Sequence, residues 1–353
     1  MTLKRGMCHV LLTAIVTLAI MSTLPGCGEK PAASKVIDVY SPHGKFLEAD
    51  VKKRFEAAHP GWTLRFQDMG GGEIFAKIGA ERAQPRACVW WGGSVSDFKN
   101  AEEQGLLEPY VPAWSASLPA NAKSATGGWS ATFLTPEVIL YNPNKIKAGE
   151  LPREWDDLLD PKWKGRIAVR DARASSGMKL IFGALILREK ERRGSIDAGF
   201  DFLKKLDANT ALPYAANPDA LYRLLESDGP CVLAPWNLPD VLNLKKNRGK
   251  PFDYILPTGT MVNVEPIALI KNGPNPEGAK LFYDFVNDPE QLVLMAQERD
   301  RIPARTDIPS ENLPEAMRNL KLDPMKFDGK EFDRNIEEWM VRWDAEVKGK
   351  GGR

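Results

Sequence analysis

Short runs of serine and glycine stand where extended segments give way to helical ones. Gly70-Gly71-Gly72, Gly92-Gly93-Ser94 and Ser175-Ser176-Gly177 each precede an amphipathic stretch. Backbone N–H groups at a helix start carry partial positive charge, and glycine lets a ligand approach them closely, so such runs suit an anion. Ser94 could either cap its helix or donate to that ligand. Ser41, Pro42 and His43 end the first extended run, and Asn217-Pro218-Asp219 is a helix start with a capping side chain and proline at its first position. Arg170 and Arg173 lie near the serine pair, Tyr214 lies near Asn217, and Trp236-Asn237 follows another extended run. Trp129, in TGGWS, and Glu265, inside the apolar VNVEPIALI, complete the candidates. A glutamate buried in such a run must find a partner, either a ligand or a hinge hydrogen bond.

Catalysis is the rival reading: two histidines in the mature chain leave little for acid–base work, although carboxylates could serve. There is no GxSxG elbow, P-loop, HExxH or GxGxxG. Hydrophobic residues make up 43% and charged residues 27%, and the net charge is +1, which gives no electrostatic case for nucleic acid. Cys88 and Cys231 each open an apolar run and read as buried free thiols rather than a disulfide. No Cys/His spacing fits a metal, and no cofactor is implied.

The N-terminus carries an address. Lys4-Arg5 precedes the apolar HVLLTAIVTLAIMSTL, too short for a membrane span, and Leu24-Pro25-Gly26-Cys27 follows. That order resembles a bacterial lipobox, with residues 1–26 removed and Cys27 lipidated. Residues 27–35 then form a small polar tether.

The elements that must position the candidates follow from pattern. Val36–Tyr40, Trp62–Gln67 and Cys88–Trp91 read as strands, each followed by a loop and a helix. This alternation argues for a mostly parallel sheet covered by helices, with ligands at the carboxyl ends of its strands. The loops SPHG, MGGG and WGGS all fall there. Phe133–Asn142 and Val262–Ile270 are long extended runs bracketing a second α/β block. The simplest path leaves the first lobe, builds a second and returns. Residues 36–134 and 263–353 then form the first lobe and 135–262 the second, with a cleft between them. The last helix, Glu331–Val347, sets Phe332, Ile336, Trp339 and Trp343 on one side.

Four phrases together resemble a known family: VYSPHGKFLEADVKKRFEAAHPGW, GAERAQPRACVWWGGSVSDFKNAEEQGLLEPY, WDDLLDPKWKGRIAVRDARASSG and EPIALIKNGPNPEGAKLFYDFVNDPEQ. They are similar to the solute-binding proteins of bacterial ABC importers, in the subgroup labelled ferric-iron or putrescine/phosphonate type. The resemblance spans about residues 35–310. It implies a two-lobed α/β type II periplasmic-binding fold, a monomer tethered by lipid outside the cytoplasm, and delivery of ligand to a permease with its ATPase. Ferric-binding relatives carry a histidine in a loop comparable to that of His43, and adjacent tyrosines in the second lobe. This chain has no Tyr-Tyr pair; Tyr214 and Tyr222 stand apart. The expected ligand is therefore a small anion, with ferric iron (free or chelated) as the alternative. A polyamine or an enzyme on the same fold ranks behind.

Overall fold

The computed structural model describes residues 35–351. The signal segment, Cys27 and most of the tether lie outside them. Nine strands and eleven α-helices are placed among the described residues. β1 (Val36–Ser41), α1 (Lys45–Ala58), β2 (Thr63–Asp68), α2 (Gly71–Ala80), β3 (Val89–Trp91) and α3 (Val95–Glu103) follow the expected alternation. Leu47, Val51 and Phe55 recur at four-residue spacing, and all three are buried on the sheet-facing side of α1. β1 runs parallel to both β2 and β3, so the loops after these strands gather at one edge.

After β4 (Leu107–Glu108) the chain enters β5 (Ser130–Tyr141), a twelve-residue strand. The second block holds α4 (Ser176–Arg193), α5 (Ile196–Asn209), α6 (Pro218–Glu226), β6 (Leu233–Asn237), α7 (Leu238–Arg248) and β7 (Asp253–Ile255). β8 (Val262–Ile270) then returns, followed by α8 (Pro276–Val286), α9 (Pro289–Arg299), β9 (Ile302–Pro303), α10 (Glu315–Arg318) and α11 (Gly329–Glu346). Strand order is β2-β1-β3-β8-β5-β6. The expectation of mostly parallel sheets holds around β1 but not at the crossovers. β8 lies antiparallel to β3 and β5, and β5 lies antiparallel to β6 and β7, because each crossover strand enters from the opposite end. The apolar stretch RIAVR, residues 166–170, forms only isolated parallel bridges at Ile167 and Arg170.

Separate cores sit on either side of this double crossing. Val39, Phe55, Trp91, Phe133 and Phe282 form one, and Trp90, Phe98 and Trp129 belong to another against β1 and β3. Trp163, Phe182, Leu185, Phe200 and Leu233 fill the second block. Here the tail departs from expectation. Ile336, Trp339, Met340, Trp343 and Val347 of α11 join this second core rather than the first. Gly183 is what lets α11 settle onto α4. A Cβ there would meet the Phe332 ring and lie 2.7 Å from Ile336 Cδ1. Cys88 and Cys231 are free and buried. Among the described residues, no helix is long and apolar enough to cross a membrane.

Candidate functional site

Three helices of the second block begin around one cavity of about 190 Å³. Their N-caps are Ser175, Asn217 and Asn237. Ser175 Oγ accepts the Met178 N–H at 3.4 Å, Asn217 Oδ1 accepts that of Ala220 at 2.9 Å, and Asn237 Oδ1 accepts that of Asp240 at 2.9 Å. Pro218 and Pro239 occupy the first turns of α6 and α7 and have no N–H to give. α4 has no such proline, so Ser176 and Gly177 keep first-turn N–H groups that lack intrahelical partners. All three dipoles favour negative charge here, but α4 is the richest in direct donors.

Arg170 brings the cation. Its Nη2 donates to the Ala174 carbonyl at 3.0 Å, while its buried Nε has no partner. Ser175, Ser176, Gly177, Trp236 and Asn237 line the same cavity, so most of the second-block candidates do converge. Asn217 contributes through its cap, one residue before Pro218. Tyr214 does not join them. Its ring meets Trp343 edge-on at 5.2 Å, and its hydroxyl donates to Asp207, the partner a buried phenol needs.

Two further residues line the cavity that the loop pattern did not single out. Asp240 is held by Asn237, whose Nδ2 donates to it at 2.9 Å. Glu137 of β5 is buried at 2% exposure, and one carboxyl oxygen lies 3.0 Å from where a Cβ on Gly177 would stand. Burial pushes its pKa well above the ordinary value, and the nearby Asp240 and Glu265 push the same way. The signal was available in the sequence: FLTPEVILYN holds a lone acid in an apolar run, as VNVEPIALI does.

The first-lobe candidates form different groups. Gly71 packs on Gly93, whose Cα would lie 3.3 Å from a Cβ on Gly71, so the two glycine loops touch each other. Gly72 faces open space. Ser94 caps α3, accepting the Asp97 N–H at 3.2 Å and donating to its carboxylate at 2.8 Å. Ser41 is fully buried, and its hydroxyl accepts the His43 N–H at 3.2 Å. His43 was expected at the ligand, yet its side chain is only 3% exposed. Its ring meets Trp91 edge-on at 4.3 Å and Nδ1 lies 3.4 Å from Glu265. Glu265 also takes the Thr135 hydroxyl and faces Arg301 at 3.6 Å. Burial would raise its carboxyl, but Arg301, His43 and Thr135 outweigh that and hold it below the ordinary value. Of the two roles open to Glu265, this geometry favours the hinge bond between β5, β8 and the start of β9. Trp129 is buried against a separate groove with Glu102 and Lys123. Among the described residues, no group of three His, Cys, Asp or Glu is placed to hold a metal ion.

The chain is 24% identical over 90% of its length, and 88% of the other, to the Probable ABC transporter periplasmic-binding protein of Sinorhizobium fredii. It is 26% identical to Iron uptake protein A1 of Synechocystis sp., covering 90% of this chain and 91% of that one. The periplasmic binding protein AfuA from Actinobacillus pleuropneumoniae, solved with exogenous fructose-6-phosphate bound, superposes with a TM-score of 0.71 at 25% identity, covering 89% of this chain and 99% of its own. Residues 94–330 match the family described as bacterial extracellular solute-binding protein, and the chain belongs to that family.

Proposed function

We propose that this chain captures a small oxyanion in the cavity at the start of α4 and delivers it to an ABC permease and its ATPase. The observation that carries the reading is the meeting of unpaired α4 N–H groups with the free Nε of Arg170 at one cavity. The AfuA relative, with a sugar phosphate bound, supports an anion of the phosphate-ester type. The first lobe is 36–134 with 263–328, and the second is 135–262 with α11, hinged where β5 and β8 cross. Lipid on Cys27 would hold the monomer at the outer face of a membrane. Binding rather than catalysis is its role.

Ferric iron is the second reading, supported by the name of the Synechocystis relative. The donors around this cavity, N–H groups and a guanidinium, suit an anion far better than a hard cation. An iron complex carrying its own anion would still fit. A thermal-shift panel of phosphate esters, phosphonates, carboxylates and ferric salts separates these readings, because a ligand that binds only the folded state raises its melting temperature. Soluble protein beginning after Cys27 should be stabilised by a phosphate ester or phosphonate, and Arg170→Gln should lose that shift. A shift from ferric salts alone would refute the anion reading.

A further inference from the structure

The oxyanion reading leaves one lining group unexplained. Glu137 borders the first turn of α4, the turn whose N–H groups an anion would use. Ligand and carboxyl must share about 190 Å³. Two like charges that close inside a protein cannot both be retained cheaply.

The surroundings of Glu137 decide which proton state fits. Asp240 of α7 lines the same cavity, and Glu265 of β8 is near enough to repel a charge on Glu137. Arg170 lines the cavity too, but it is engaged with Ala174 on one side and lies near Asp240 and Tyr222. Arg301, before β9, stands against Glu265 instead. From β6 come Trp236 and Asn237, neither of which can carry charge. Among the described residues, the Glu137 carboxyl takes part in no hydrogen bond or ion pair.

Resting on the oxyanion reading, we propose that Glu137 serves as a neutral carboxylic acid whose O–H donates a hydrogen bond to the bound oxyanion. A carboxylic acid has one donor, and an ionised carboxylate has none. The site would then prefer a tetrahedral oxyanion that arrives with a bare oxygen for that proton. Ionising Glu137 would turn the donor into a repelling charge and expel the ligand. Binding therefore takes up a proton wherever the empty site has begun to lose it.

Calorimetric titration with ethylphosphonate tests this in wild type, Glu137→Gln and Glu137→Leu, each first checked for a cooperative melt. The ligand's own ionisation is common to all three proteins and cancels in their affinity ratios. Gln keeps an N–H donor and Leu has none, so Gln should bind at least tenfold tighter than Leu at neutral pH. Above the pH where Glu137 ionises, wild-type affinity should fall relative to Gln by about tenfold per pH unit. Equal affinities for Gln and Leu, or a wild-type to Gln ratio that is flat with pH, would overturn the proposal. So would a wild-type ratio that rises with pH, which would mean the ionised carboxylate is the working form. If ethylphosphonate and ethyl phosphate bind none of the three proteins, the oxyanion reading itself falls, and this proposal with it.

Discussion

His43 should make the protein acid-sensitive in a way a single substitution removes. Its imidazole is packed under Gly92 and against Trp91, and Nε2 is buried with no partner. Burial lowers its pKa from 6.5 to about 4, although Glu265 pulls the other way. The unfolded chain therefore takes a proton near pH 6.5 while the folded chain refuses it until about pH 4. The unfolded state binds more protons inside that window, so stability is complete above it and is lost as pH falls through it. Two and a half pH units correspond to about 3 kcal/mol over the whole window, of which about 2 kcal/mol is gone by about pH 4.5. The assay is urea unfolding of wild type and His43→Gln at neutral pH and at about pH 4.5. Losing the ring's packing offsets the variant by a constant, so the informative quantity is the change in the gap between the two proteins. That gap should shift by about 2 kcal/mol in the variant's favour on acidification. Carboxylates elsewhere titrate in both proteins and cancel. Parallel pH profiles would refute the claim that His43 is held neutral.

Gly92→Ala should cost about 2 kcal/mol or more by chemical denaturation, since φ there is 93° and a Cβ would lie 2.6 Å from His43 Nε2. Gly183→Ala should lower stability by about 1–3 kcal/mol by forcing α11 off α4, and limited proteolysis should then release the tail first. Cys27→Ser should move the expressed protein from the membrane to the soluble fraction in a fractionation assay, since a lipid chain contributes about 0.8 kcal/mol per buried CH₂.

The fold was legible where local pattern and burial agree. Leu47, Val51 and Phe55 announce α1 because their spacing matches the helix period, and the same residues meet the sheet. The last helix shows the limit of that logic. Ile336, Trp339 and Trp343 declare a buried face, but a period says which side is covered and not by what. Gly183, more than 140 residues upstream in the chain, decides that α11 lies on α4. The glycine loops carry a second lesson. Gly92 and Gly93 looked like an approach to ligand, yet Gly92 leaves room for the His43 ring, and Gly71 and Gly93 leave room for each other. Small residues report close approach without naming what approaches. The serine run before α4 is more specific about geometry, because capping by Ser175 fixes where the N–H groups of that turn point.

Glu137 and Glu265 sharpen this further. Both are lone acids in apolar strands that cross between lobes, and sequence alone cannot separate their roles. Structure separates them by counting partners. Glu265 has a guanidinium, an imidazole and a hydroxyl, which is the set a structural carboxylate needs to remain ionised. Glu137 has none of these, faces a cavity and sits beside two other acids. A buried acid left without protein partners costs stability in every state except the one where a proton or a ligand satisfies it. That residual cost is the physical reason to place Glu137 in the binding chemistry and Glu265 in the hinge.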